Sequence, residues 1–296
     1  MQRKTAQDFD QELLILFDAY VHGTIDRRGF LERAQKFAVG GATAVGLLAA
    51  LSPNFAMGQV IAPTDARVKT QMVEVASPAG YGTIKGYLAR PASAAGKLPA
   101  VLVVHENRGL NPHIEDITRR LALDGYMAFA PDALTPLGGY PGDEDKAREL
   151  FGKLDQAKTR EDFVAATQWL LARTDGTGKV GTVGFCYGGG MAHVLSIRVP
   201  EIAAAVPFYG NVPAAADAAK VKAPLLIHFA EVDERINASW PAYEAALKAA
   251  GVRYTAHQYA GTQHGFNNDT TPRFDAAAAK TAWDRTLAFF AQNLKA

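Results

Sequence analysis

The chain has a single cysteine, Cys186, and that scarcity excludes a good deal. No intramolecular disulfide framework can form, and neither a CxxC redox pair nor a cysteine-rich zinc site can be built. Charge of one sign is also not concentrated anywhere. The 31 basic and 30 acidic side chains leave a net charge of +1, with no Lys/Arg block. Nucleic acid is therefore not an expected partner. The uncharged run from Phe37 to Leu51 falls short of the ~20 residues that span a bilayer, so no stable membrane span is expected. Internal repeats and low-complexity tracts are lacking, apart from Ala-rich helical stretches.

What is present divides into two textures. Residues 1–60 form an N-terminal extension. "FDQELLILFDAYVHG" (9–23) carries apolar residues at helical spacing, with Gly23 placed to end the helix. Arg27 and Arg28, followed by Phe30 and Leu31, resemble a twin-arginine export signal, and the short apolar region and "NFAMG" further on fit the same pattern. That reading predicts a periplasmic protein. The competing reading is a cytoplasmic chain that keeps a helical arm packed on its domain or on a partner subunit.

Residues 70–296 read as one catalytic domain. Residues 71–77 and 82–91 alternate like an antiparallel strand pair, and 99–106 is an apolar run expected of a strand buried on both faces. From there strands (126–132, 179–185, 202–210, 223–233, 252–261) alternate with helical segments up to a closing helix at 275–294. The fold class expected is α/β, a mostly parallel central sheet with helices on both faces.

In such a sheet chemistry gathers at the carboxyl ends of the strands. Those ends carry Glu106, Asp132, Cys186, Tyr209, Asp233 and the loop holding His264. Cys186 lies in Gly184-Phe185-Cys186-Tyr187-Gly188, the G-x-C-x-G form of a nucleophile elbow. The glycines suit a strained strand-to-helix turn, and the helix start would lower the thiol pKa. Asp233 ends a buried strand, where a carboxylate needs a partner; Glu231 competes for the same role. His264, in "GTQHGFNND", is the histidine in a loop, whereas His105, His228 and His257 fall in strands and His22, His113 and His193 in or beside helices. The order cysteine, acid, histidine is that of α/β-hydrolases. A metal is the other use of such residues, but no HxxxH or HxxE pair lies near Cys186, and no metal or cofactor is expected.

On "VVHENRGLN", "GYMAFAPD", "GKVGTVGFCYGGG" and "HGF" the chain resembles the dienelactone hydrolase family, over residues 70–295. The resemblance implies an α/β-hydrolase fold and a cysteine hydrolase cleaving a small ester or lactone through Cys186, His264 and Asp233, by way of an acyl-enzyme. It implies an oxyanion hole from the backbone N–H groups of Tyr187 and Asn107, and a Glu106 that contacts the resting thiol. It also implies two arginines holding a substrate carboxylate. Arg148 corresponds to one, but the position of the other, four residues after the histidine, is Asn268; Arg108 or Arg273 could replace it. Tyr140 and Tyr209 are further candidates for the pocket. A thioesterase or peptidase using the same triad, and a thiol-sensing protein on a hydrolase fold, stay open, and the sequence does not specify an oligomeric state.

Overall fold

The computed structural model describes residues 4–295. Its N-terminal arm holds α1 (Gln11–Val21), α2 (Arg27–Ala34), α3 (Ala44–Leu51) and the short α4 (Phe55–Gly58). Asp10, Asp26 and Thr43 cap the first three, each side chain accepting from a backbone N–H of the first turn. Leu13, Leu14, Phe17, Tyr20, Phe30, Ala34, Leu48 and Leu51 form a hydrophobic cluster of the arm's own. The apolar run taken as part of an export signal is here folded, with Leu48 and Leu51 buried in that cluster. Arg28 pairs with Glu32 on the arm, and Arg27 reaches across to Asp145 of the catalytic domain. Among the described residues no helix is long and apolar enough to cross a membrane.

The domain is built on an eight-stranded sheet in the order β1-β2-β4-β3-β5-β6-β7-β8. Its strands are β1 (Val68–Ser77), β2 (Gly82–Pro91), β3 (Leu98–Val104), β4 (Met127–Pro131), β5 (Gly176–Phe185), β6 (Ala204–Phe208), β7 (Leu225–Val232) and β8 (Tyr254–Gln263). β1–β2 and β2–β4 are antiparallel and all other pairs parallel. The helices are α5 (Pro112–Leu123), α6 (Glu144–Phe151), α7 (Gln156–Leu171), α8 (Tyr187–Arg198), α9 (Glu234–Asn237), α10 (Trp240–Ala249) and α11 (Ala276–Leu294). Two large apolar clusters flank the sheet, one including residues of α7, α8 and α10, the other residues of α5 and α11. β4 and β6 are buried throughout and β3 nearly so, which is why they read as continuous apolar runs rather than alternating ones.

The strand order reverses at β3, which pairs with β4 on one side and β5 on the other. A crevice therefore opens beyond the carboxyl ends of β3 and β5. The loop after β3 turns at Gly109, whose φ is +76° and where a Cβ would lie 2.7 Å from Asp132 Oδ1. Asp132 accepts from the backbone of Leu110, Leu134 and Tyr140, so this strand-end carboxylate organises loops. Asn111 caps α5.

Candidate active site

Cys186 stands between β5 and α8 with φ 56° and ψ −111°, a conformation L-residues rarely adopt. The flanking glycines are required by contact. A Cβ on Gly184 would lie 1.9 Å from the Gly188 carbonyl oxygen, and one on Gly188 would lie 2.2 Å from that of Val104. The turn thus presses α8 onto the end of β3, and Cys186 N–H is held by the Phe208 carbonyl at 3.0 Å. Tyr187 is the first residue of α8, where a helix leaves backbone N–H groups without intrahelical partners.

His264 follows β8, and its Nδ1–H donates to Asp233 Oδ2 at 2.5 Å. Both residues are buried. Glu231, the competing acid, instead accepts from Gly261 N–H at 2.7 Å. A ring nitrogen of His264 lies within 4.8 Å of Cys186 Sγ, and its Nε2 is buried without a hydrogen-bond partner. Burial alone would raise the thiol pKa, but the neighbouring His264 and His22 outweigh it and bring it down to about 6. For His264 burial works toward neutrality, and the Cys186 charge and the Asp233 bond overturn it, so the imidazole titrates well above its ordinary range.

The partner that the sequence did not reveal is His22. It caps the C-terminus of α1, and its Nε2 lies 3.3 Å from Cys186 Sγ. Its Nδ1 faces the Asp18 carbonyl at 2.8 Å and the Asp18 carboxylate at 3.2 Å. Burial opposes the charged imidazole, but the thiol and Asp18 prevail and raise its pKa. His22, Cys186 and His264 are the three possible metal donors that cluster among the described residues. An Arg235 nitrogen lies 3.2 Å from His22 Nε2, however, so a guanidinium already supplies positive charge beside that donor.

Several expected contacts fall elsewhere. Glu106, expected at the thiol, accepts instead from Asn268 Nδ2 at 2.9 Å. Asn268 is itself oriented by Thr270, whose N–H and hydroxyl donate to its Oδ1. Arg148 does not line the cavity over Cys186. Its guanidinium stacks on Tyr20 of the arm, 4.6 Å from the ring centre. Tyr140 bonds to Glu144, and Tyr209 is buried beside the His264 ring; neither lines the cavity. Arg108 and Arg273 do line it, together with Glu106, Asn107 and Asn268. The arm occupies both cations: Arg108 donates to the Val21 carbonyl at 3.3 Å and Arg273 to Asp18 at 3.1 Å. Asn107 Nδ2 also donates to Val21, at 2.9 Å. What remains above the thiol is a cavity of about 50 Å³, closed on one side by Phe17, Tyr20 and Val21. A larger groove of about 710 Å³ reaches His264 and Asp233 between α1 and the end of β7, without touching Cys186.

Residues 84–294 match the profile of the Dienelactone hydrolase family. The chain belongs to the dienelactone hydrolase family. A "Putative carboxymethylenebutenolidase" of Salmonella typhi is 31% identical over 229 residues, covering 73% of this chain and 85% of that protein. The "Putative hydrolase fragment YghX" of Escherichia coli K12 is 50% identical over 113 residues, 38% of this chain and 97% of the fragment. Among solved structures, a "Putative Dienelactone Hydrolase" from Klebsiella pneumoniae superposes with a TM-score of 0.67 at 31% identity, over 76% of this chain and 99% of its own. A brefeldin A esterase at 15% identity and a TM-score of 0.65 shares the fold. The arm is matched by a separate profile, YqhI-like, over residues 1–39. In this dienelactone hydrolase family member, then, α1 and His22 lie outside the family-matched region.

Proposed function

We propose that the protein hydrolyses a small ester or lactone through a Cys186–His264–Asp233 triad and a thioester acyl-enzyme. The observation that carries this is the single cysteine at a strained elbow, facing an imidazole whose far nitrogen is anchored on a buried carboxylate. The Cys186 thiolate attacks the substrate carbonyl carbon. The oxyanion that forms is met by the backbone N–H groups of Tyr187 and Asn107. His264 Nε2–H gives its proton to the departing alkoxide as the C–O bond breaks, leaving the acyl group on sulfur. His264 then takes a proton from water, whose oxygen attacks the thioester, and the acid and thiolate are released. Asp233 keeps the proton on Nδ1 and supports the imidazolium.

The cavity volume restricts the substrate to a small acyl group while the arm is seated, and a substrate carboxylate would reach Arg108 and Arg273 only by displacing their contacts with Val21 and Asp18. Dienelactone-type hydrolysis fits that chemistry, with these two arginines in place of Arg148 and of the arginine absent at Asn268. Turnover of a panel of small esters, lactones and thioesters, with and without a carboxylate, tests the reading. Cleavage of carboxylate-bearing lactones or esters that is lost in Cys186→Ala supports it. Absence of turnover across the panel, or turnover that survives Cys186→Ala, overturns it.

A further inference from the structure

We infer that His22, supplied by the N-terminal arm, is a second general base for Cys186, so that two carboxylate-backed imidazoles serve one sulfur. The proton positions follow from the partners. Nδ1 of His22 faces two oxygens of Asp18, both acceptors, so Nδ1 carries a hydrogen and the Nε2 lone pair faces the thiol at 3.3 Å, beside the Arg235 guanidinium that donates to it at 3.2 Å. Nδ1 of His264 faces Asp233, which leaves its buried, unpartnered Nε2 as the nitrogen that exchanges a proton at the site. Asp18–His22 and Asp233–His264 are thus duplicate relays, and their rings meet edge to face with centres 4.8 Å apart. Of the two, His22 makes the hydrogen bond to sulfur, at 3.3 Å.

The step is a proton transfer: the S–H bond breaks, an N–H bond forms on His22 Nε2, and no electrons change owner. Three features support an imidazolium at His22. It sits at the C-terminal end of α1, where the helix dipole favours a cation. The Asp18 carboxylate lies against its Nδ1. The thiolate itself remains in contact. Arg235 opposes the charge, and it also has Asn211 Oδ1 within 3.4 Å as an alternative acceptor. The other charged or titratable groups around the pair are Arg273, which holds Asp18, and Arg108, Glu106 and Tyr209.

The arrangement also fills a gap in the site. Glu106 accepts from Asn268, and the hydrogen bond of the thiol is with His22. Position is held from both sides. Asn107 and Arg108 bind the Val21 carbonyl, one residue before His22, and Gly23 follows with φ +78°. The family match spans residues 84–294, so His22 lies outside the matched catalytic domain.

The test uses the full chain and needs no ester, so it stands apart from the hydrolase reading. Alkylation of Cys186 by iodoacetamide is followed against pH in wild type, His22→Ala and His22→Gln, with melting temperatures as folding controls. The midpoint, not the absolute rate, is the readout, because removing a side chain also changes access. In His22→Ala the midpoint moves up by about one pH unit or more, as expected when a cation beside a thiolate is removed. His22→Gln keeps a polar contact but cannot take the proton, and its midpoint also moves up. The same variants lose kcat on any ester the wild type cleaves. Folded variants with an unmoved midpoint would overturn the proposal, and so would wild-type behaviour in His22→Gln, which would assign His22 a merely spatial role.

Discussion

His22 Nε2 lies 3.3 Å from Cys186 Sγ although 164 residues separate them in the chain. The contact joins an N-terminal arm with its own apolar cluster to the elbow of an α/β-hydrolase domain. The Cys186 thiol therefore sits where two parts of the chain meet.

Cys186→Ala should lower ester turnover by about 10⁴-fold or more while leaving the melting temperature nearly unchanged, since the residue is small and lines an existing cavity. Cys186→Ser should keep at most weak activity, because the surrounding imidazoles favour a thiolate and a serine hydroxyl does not ionise in that range. Steady-state kinetics with an activated ester, alongside thermal melts, checks both.

Asp233→Asn should leave the fold intact and reduce kcat by about 10⁴-fold, because an amide can donate to Nδ1 and stabilise the wrong imidazole tautomer. Glu231→Gln should have little effect on kcat, since Glu231 braces the Gly261 backbone and not His264. Comparing the two variants discriminates between the acids that the sequence left in competition.

These outcomes bear on what the sequence disclosed. The strands, the tight turn at Cys186 and the loop position of His264 were legible because each depends on local pattern: buried runs for β3 and β4, flanking glycines for Cys186, Gly265 beside His264. Glycine contacts at Gly184 and Gly188 bear out the physical reason given for the elbow. His22 was not legible, because its place on the thiol depends on how a separately folded arm docks. Its sequence signal was only a histidine at a helix end before a glycine. The place of Arg148 also depends on the arm, since its guanidinium lies over the Tyr20 ring. Glu106 was expected at the thiol; in the structure its carboxylate accepts from Asn268, a partner the sequence did not reveal.

The thiol's acidity sets the pH profile. Its pKa is lowered from the ordinary 9.0 to about 6, so the thiolate fraction, and with it the acylation rate, should rise through pH about 6 and be flat at neutral pH. The profile of kcat/KM for a non-ionisable ester reads this directly. An acid limb centred in the ordinary thiol range would contradict it.

Phe30→Ala should unfold the arm selectively. Phe30 is fully buried against Phe17 and Tyr20, and removing such a ring costs about 3–5 kcal/mol. Because that cluster is distinct from the two flanking the sheet, limited proteolysis should cut within residues 10–60 while the catalytic domain persists. Uniform resistance to protease would contradict the arm's separate core.

Export by the Arg27–Arg28 signal stays a separate proposal, and it bears on the arm's role. The intact mass of the protein purified from its native host, fractionated into periplasm and cytoplasm, decides it. If His22 serves the working enzyme, the active fraction keeps residues 10–58 wherever it is found. A mature chain that is active yet begins after residue 22 would contradict that.

The central claim is that Cys186 carries the acyl group, and rapid-quench intact-mass spectrometry after mixing with an activated small ester tests it most directly. The account predicts a transient mass increase equal to one acyl group, mapped by peptide analysis to Cys186 and prolonged in His264→Ala if acylation still occurs there. Turnover without any adduct on Cys186, or an adduct on another residue, would contradict it.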